Sequence, residues 1–381
     1  MKKYFLYFLA LTAFNSCSNP EEPVLEPDQK NFELFDFENA QQNEEFILGL
    51  EVLGDKLFFL HKNYPGFIDN QHRTTPLCCL TSDLNLQFRP SFSENYIIHP
   101  IENLNGFIVF PVGPGELRPL IFDEQLGDEW IGAKLVSGSQ KEFFHPEKNF
   151  DINGNHLILN LQKDEIHKIL ILEINFGTGF HQLEVLQVIE LSILDLGLDP
   201  NSNSGLIIQS IKKYEDQWIA HIRSTENGIE EGNSYLISKD GSTEKLSGPA
   251  TGSANFRFYD FARLNPQEYL ITESPIGRIS YSSSPISENK TYITELNGPL
   301  IIRSDGQKGL IFIPGTNVLA SLENFRENGV SSHQLKELDR TGITNDQIYD
   351  AQFFENKVYV ATRRGLFVKS RENFWEEIRL P

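Results

Sequence analysis

Seven times along this 381-residue chain, a turn built of Gly, Asn, Asp, Glu, Gln or Pro runs directly into a strongly apolar stretch. The units start at Gly54 (Gly-Asp-Lys-Leu-Phe-Phe), Asn105 (Asn-Gly-Phe-Ile-Val-Phe), Gly154 (Gly-Asn-His-Leu-Ile-Leu), Glu215 (Glu-Asp-Gln-Trp-Ile-Ala), Pro266, Gln307 and Glu355. Successive starts lie 51, 49, 61, 51, 41 and 48 residues apart. A period of about 50 residues is the length of one four-stranded antiparallel sheet with its connections. Helical periodicity never persists beyond about two turns, and short apolar runs bounded by turn residues read as strands. The runs are apolar on both faces, and a small sheet with two apolar faces must stack against a neighbour on each side. Placing the sheets radially around an axis satisfies all of them at once. The sequence therefore predicts an all-β fold, a β-propeller over residues 32–381 with seven blades of four antiparallel strands. Six or eight blades are the alternatives, because the unit at Gln307 is compressed and glycine-rich.

The last unit is the clearest. Asn345-Asp-Gln-Ile-Tyr-Asp-Ala-Gln-Phe-Phe-Glu-Asn-Lys-Val-Tyr-Val-Ala-Thr-Arg-Arg-Gly-Leu-Phe-Val-Lys-Ser-Arg, followed by Phe374-Trp-Glu-Glu-Ile-Arg-Leu, resembles one blade of two-component-regulator-type β-propeller repeats. Its strands are expected near 347–354, 357–362, 365–370 and 374–380. The unit around Tyr259 and Asp260 keeps the same register: Tyr259 stands ten residues before Tyr269, as Tyr349 does before Tyr359. Residues 32–37, ahead of the first unit, are expected to add an outer strand that covers a sheet edge.

The first twenty-two residues carry a different signal. Lys2 and Lys3 precede an apolar run, Tyr4 to Phe14, which is too short to span a bilayer and has the build of an export signal. Cys17 closes it and is followed at once by Ser-Asn-Pro-Glu-Glu-Pro. With Ser16 before the cysteine and the acidic pair after it, this resembles the relaxed lipobox of Bacteroidetes-type bacterial lipoproteins. The resemblance implies a signal peptide over 1–16, acylation of Cys17, a Pro- and Glu-rich tether over 17–31, and a chain held on the outer membrane of the cell envelope, periplasm-facing or at the cell surface. Cleavage at a small residue with release of the chain is the alternative.

Charge narrows the partners. The formal net charge is −20, and removing Lys2 and Lys3 with residues 1–16 makes it −22. Such a field repels polyphosphates, so nucleic acid is excluded as a partner. Cys78 and Cys79 are the only other cysteines, too few for a disulfide scaffold. They read as buried thiols, since adjacent residues sit too close for ordinary disulfide geometry.

Two candidate sites follow from the blade alignment. Nine residues upstream of each second-strand centre lie His99, Asn149, Gln209, Asp260 and Asp350, a polar ring on the strands expected to line the central channel. It reads either as a solvated channel or as an axial ion site, with the two aspartates offering hard oxygen ligands to Ca2+. The second candidate is a rim of loops joining second and third strands. It comprises Tyr64, Asp69, His72 and Arg73 in a long loop from Asn63 to Pro76, with Glu116, Arg118, Glu230, Glu231, Glu273, Arg278, Arg363 and Arg364. There is no His-Glu-x-x-His, no Cys-x-x-Cys, no Gly-x-Ser-x-Gly and no phosphate-binding loop. Asp199-Pro-Asn-Ser-Asn-Ser-Gly205 resembles a calcium loop but has glycine one place late, and it reads as a plain loop. The expected function is a noncatalytic binding or assembly module for a glycan, a peptide or an envelope protein. The alternative is an extracellular hydrolase or lyase acting on carbohydrate or ester, with a metal near the channel.

Overall fold

The computed structural model describes residues 31–37, 46–61, 64–76, 91–92, 96–100, 107–111, 120–121, 143–144, 152–153, 156–163, 166–176, 183–199, 203–226, 229–246, 257–273, 277–296, 298–323, 335–343 and 346–375. Most of them are strand, and the described strands form six four-stranded antiparallel sheets and one larger sheet. In the first sheet, Ile47–Leu53, Lys56–His61, Tyr64–Asp69 and Thr74–Pro76 pair in chain order. The same succession recurs in the fourth sheet from Asn203–Tyr214, in the fifth from Phe258–Asn265 and in the sixth from Ile301–Ser304.

The last sheet is assembled differently. Ile348–Phe354, Lys357–Thr362 and Gly365–Ser370 supply three strands, close to their expected bounds. Of the segment expected as the fourth, Phe374 closes a helical turn, Arg371–Phe374, and residues 376–380 lie outside the described residues. The Glu33–Leu34 strand takes that place, with Glu33 opposite Val368 and Leu34 opposite Phe367. Edge cover by the segment before the first unit is thus combined with ring closure, because one sheet is built from both ends of the described chain. Phe32 anchors the segment. Its N–H donates to the Thr341 carbonyl at 2.9 Å, and its ring meets Phe374 edge-on at 6.1 Å. Gly342, at φ 107°, is required there: a Cβ would stand 2.0 Å from the Phe32 carbonyl oxygen.

Neighbouring sheets touch through their first strands. Ile47–Leu53 contacts Ile348–Phe354, which contacts Ile301–Ser304; that strand contacts Phe258–Asn265, and the last meets Asn203–Tyr214. The first strands therefore surround an axis, with apolar layers between sheets. One layer packs Ile169, Ile171 and Ile189 against Trp218, Ile222 and Tyr235, and another packs Phe37, Ile47 and Phe59 against Tyr359 and Leu366. Trp218 is fully buried. At about 25 cal/mol per Å2 of apolar surface removed from water, each such side chain contributes about 1.5–3 kcal/mol. No single sheet could keep those residues dry, so stability belongs to the stack.

Two sequence expectations shift here. His99 lies in Tyr96–Pro100, which holds second place in a sheet ordered Ser91–Phe92, Tyr96–Pro100, Phe107–Pro111 and Leu120–Ile121. The apolar run after Asn105 is thus a third strand, and His99 does not line the axis. Asn63 to Pro76 is not one long loop either, because Tyr64–Asp69 is the third strand and Thr74–Pro76 the fourth. Gly66 there is a packing glycine: a Cβ would meet the Phe59 ring at 2.4 Å. The segment resembling a calcium loop enters a strand at Asn203.

Candidate functional site

The axial residues are placed by a recurring irregularity. Pairing of first with second strand slips by one residue between Ile47 and Gly49, Ile208 and Ser210, Phe258 and Asp260, and Ile348 and Asp350. Each slip is a β-bulge, which bends the strand and re-aims the residue that follows. Asp260 and Asp350 follow their bulges in equivalent places. In the fourth sheet that place belongs to Ser210, and Gln209 is the bulged residue, one position out of register with the aspartates. Ser210 Oγ donates to the Phe258 carbonyl at 2.7 Å, linking its sheet to the next.

Two residues beyond the aspartate position, on the same face of the strand, stands Lys212 in the fourth sheet, and Arg303 stands on the first strand of the sixth. They complete a chain of contacts across the axis. Lys212 Nζ reaches Asp260 Oδ1 and donates to the Phe261 carbonyl at 2.8 Å. Arg303 spans the two acids, with Nη1 3.3 Å from Asp260 Oδ2 and Nη2 3.4 Å from Asp350 Oδ1. Backbone donors supply the rest. Asp260 accepts the Phe261 N–H at 2.8 Å and the Ile302 N–H at 3.3 Å, while Asp350 accepts the Ala351 N–H and the Leu50 N–H, both at 2.9 Å. Gln352 continues the line to the Leu50 carbonyl at 3.3 Å.

Burial alone would raise the Asp260 carboxyl, but Lys212 and Arg303 overcome it and hold it below its ordinary value. Asp350 is completely buried. Two acids and two bases cancel, which is the condition under which charges persist out of water. Every carboxylate oxygen of the pair already accepts an N–H. The Ca2+ role expected for Asp260 and Asp350 is therefore corrected: their oxygens are held by protein donors, and Lys212 and Arg303 supply the neutralising charge a metal would bring. No group of three metal-ligating side chains occurs among the described residues.

The rim divides between two faces. First-to-second and third-to-fourth turns lie at one end of each sheet, and second-to-third turns lie at the other. Asp69, His72 and Arg73 form a third-to-fourth turn. Asp69 Oδ1 accepts the Gln71 and Arg73 N–H groups at 2.9 Å, and Asp69 Oδ2 takes Arg73 Nε at 2.9 Å. These bonds, the Arg73 backbone first, lower the Asp69 carboxyl. They also set His72 at φ 60°, with Nδ1 2.7 Å from the Tyr359 hydroxyl of the last sheet. On the opposite face, Glu273 and Arg278 pair across a second-to-third turn. Glu273 is buried, and burial raises its carboxyl against the pull of Arg278. Arg364 binds Asp346 at 2.6 Å, and Arg363 is exposed. Glu230 and Glu231 lie on the strand Ile229–Ile237, and Tyr64 begins the third strand of the first sheet. Cys17, Cys78, Cys79, Glu116, Arg118 and Asn149 lie outside the described residues.

Lys212 and Arg303 escaped the sequence reading because it looked only for the residue nine before each apolar strand. A basic residue two places beyond the acid position was the available signal for Lys212; Arg303 had no such spacing.

Radial four-stranded sheets joined through first strands and closed by an N-terminal strand define a β-propeller. Solved structures similar to the chain include the following. The extracellular domain of a proposed one-component system from B. thetaiotaomicron is similar over 90% of this chain and 40% of that one, at 12% identity and a TM-score of 0.50. YCF48 bound to D1 peptide is similar over 90% of this chain and 97% of that one, at 12% identity and a TM-score of 0.48. BamB from Moraxella catarrhalis is similar over 90% and 86%, at 11% identity and a TM-score of 0.40. At such identities the likeness concerns fold alone. No family model and no curated protein matches the chain. No helix among the described residues is long and apolar enough to cross a membrane.

Proposed function

We propose that this chain is a seven-bladed, lipid-anchored propeller of the bacterial cell envelope, acting as a noncatalytic binding or assembly module for an envelope protein or one of its peptides. Cys17 carries the anchor in this reading, residues 17–31 the tether and residues 32–381 the propeller. One observation carries the noncatalytic part: the two axial carboxylates best suited to a metal or to acid–base work are paired with Lys212 and Arg303. A carboxylate so held has no oxygen left for a substrate proton. Support for contact through a face comes from the second-to-third turns, where Arg278 of the fifth sheet and Arg363 and Arg364 of the last lie on one face of a strongly acidic chain.

The test places a photocrosslinking side chain at Arg363 or Arg278, and at Arg73 as the control on the other face, in cells retaining the native anchor. The reading expects a discrete envelope-protein adduct from Arg363 or Arg278 and none from Arg73. Equal labelling from all three positions, or none from any, would sink it. Radiolabelled palmitate incorporation that Cys17→Ser abolishes tests the anchor separately. Asp260→Asn does not cleanly separate binding from catalysis, because it removes half the charge facing Lys212 and Arg303.

A further inference from the structure

Where the sixth blade meets the last, on the face of the first-to-second turns, the surface opens into a cleft of about 510 Å3. It is lined by Asp305 and Gln307 from one turn, Asn356 from the next, and Ser370, Arg371, Glu372 and Trp375 from the end of the last blade. The volume falls within the ~300–1,000 Å3 of small-ligand sites. We propose that this cleft binds a saccharide unit. The inference goes beyond the protein-binding reading, since the cleft lies on the opposite face from Arg363 and Arg278.

The chemistry of the lining selects the ligand class. Among the described residues the side chains of Gln307, Asn356, Ser370 and Glu372 make no hydrogen bond, so donors and acceptors of both kinds face the same space. Arg371 is half-engaged: Nη2 donates to the Asp305 carbonyl at 3.0 Å, and the guanidinium lies 5.4 Å from the centre of the Phe353 ring. Its backbone N–H is held by the Asn356 carbonyl at 2.8 Å, which ties the two turns together. Asp305 Oδ1 accepts the Gln307 and Lys308 N–H groups at 2.9 and 2.8 Å, so its turn is preorganised before any ligand arrives.

Among the lining charges Arg371 offsets one of Asp305 and Glu372, and the neighbouring Lys308 is held by Glu323 at 2.5 Å, so the cleft keeps a net negative charge that disfavours an anion. What remains is a dense set of planar amide, carboxylate and guanidinium groups, each able to bond two neighbouring hydroxyls. A polyhydroxylated, uncharged ligand satisfies that set, whereas an apolar one would leave it unpaired. Trp375 is a wall and not a stacking platform. One face lies against Phe353 at 5.6 Å and 28°, and Lys308 Nζ stands 5.2 Å from the ring centre. Recognition therefore rests on hydrogen bonds, and a single sugar should bind weakly, with a repeating polysaccharide gaining strength by multivalency.

The experiment titrates the full-length chain carrying Cys17→Ser with galactose, mannose, N-acetylglucosamine and glucuronate, following saturation-transfer NMR and tryptophan fluorescence. At least one neutral sugar is expected to bind in the millimolar range, ahead of glucuronate. Glu372→Gln and Asn356→Ala should each weaken it by about fivefold or more, the loss of one ligand hydrogen bond. Both positions are exposed, so the thermal midpoint should not move, and Arg363→Ala should leave affinity unchanged. Absence of binding by every sugar at high millimolar concentration overturns the proposal. Binding that survives both cleft substitutions, or that favours glucuronate, overturns it equally.

Discussion

Arg303 holds two acids from two other blades, so its removal should be felt well beyond its own strand. Arg303→Met takes from the buried Asp350 the guanidinium 3.4 Å from its Oδ1, and breaking a buried pair from one side costs about 3–5 kcal/mol. Chemical denaturation should report a loss of that order. Arg303→Met with Asp350→Asn should recover part of it, because the second change removes the charge that Arg303 offset. Simple additivity would show that the two residues are not coupled. His221 provides a second test at this scale. It is buried beside the Ser234 hydroxyl, and burial, reinforced by Arg257, lowers it to about 4. The unfolded chain binds this proton below about pH 6.5 while the folded chain refuses it down to about 4. Stability tied to His221 is therefore complete above pH 6.5 and falls as pH drops toward 4, by at most about 3 kcal/mol. His221→Gln should flatten that part of the stability–pH curve, and an unchanged slope would assign it to other groups.

Among elements, the hairpin turns and the closing strand carry the sharpest expectations. Glu215 and Glu355 occupy equivalent first-to-second turns at φ 55° and 52°, a conformation that costs a side-chain-bearing residue about 1–2 kcal/mol. Glu215→Gly should raise the unfolding midpoint, by somewhat less than that figure because glycine also loosens the unfolded chain. A lowered midpoint would mean that the Glu215 side chain supplies more than the turn requires. The second strands were plain in the sequence because each follows such a turn with an apolar run. Register was harder to read. Tyr269 pairs with Arg263 and Tyr359 with Gln352, so the matching ten-residue spacings conceal a one-residue offset. An additional slip between Arg263 and Asn265 produces it, and a bulge leaves no mark in an apolar pattern. Gln209 missed the aspartate position for another reason: Ile219, and not Trp218, is the counterpart of Tyr359, and nine residues before Ile219 stands Ser210.

For the whole molecule, closure is the decisive event. The Glu33–Leu34 strand makes only two ladder pairs, yet Phe32, Phe35 and Phe37 are all set against the last blade or its junction with the first. Phe32→Ala should cost about 3–5 kcal/mol as a buried aromatic truncation. Gly342→Ala, whose Cβ would collide with the Phe32 backbone, should open the same seam. Limited proteolysis is expected to cut ahead of the first blade in both variants and to spare the wild-type chain. Intact closure in Gly342→Ala would show that the turn can yield. A repeat of about fifty residues, apolar on both faces, was enough to determine stacked four-stranded sheets around an axis, because no other arrangement buries both faces of so many small sheets. Which residues meet across the axis, and which face each turn occupies, was decided only by the tertiary structure. Lys212, Asp260, Arg303 and Asp350 are far apart in the chain and become neighbours only when bulges aim them inward and the ring closes.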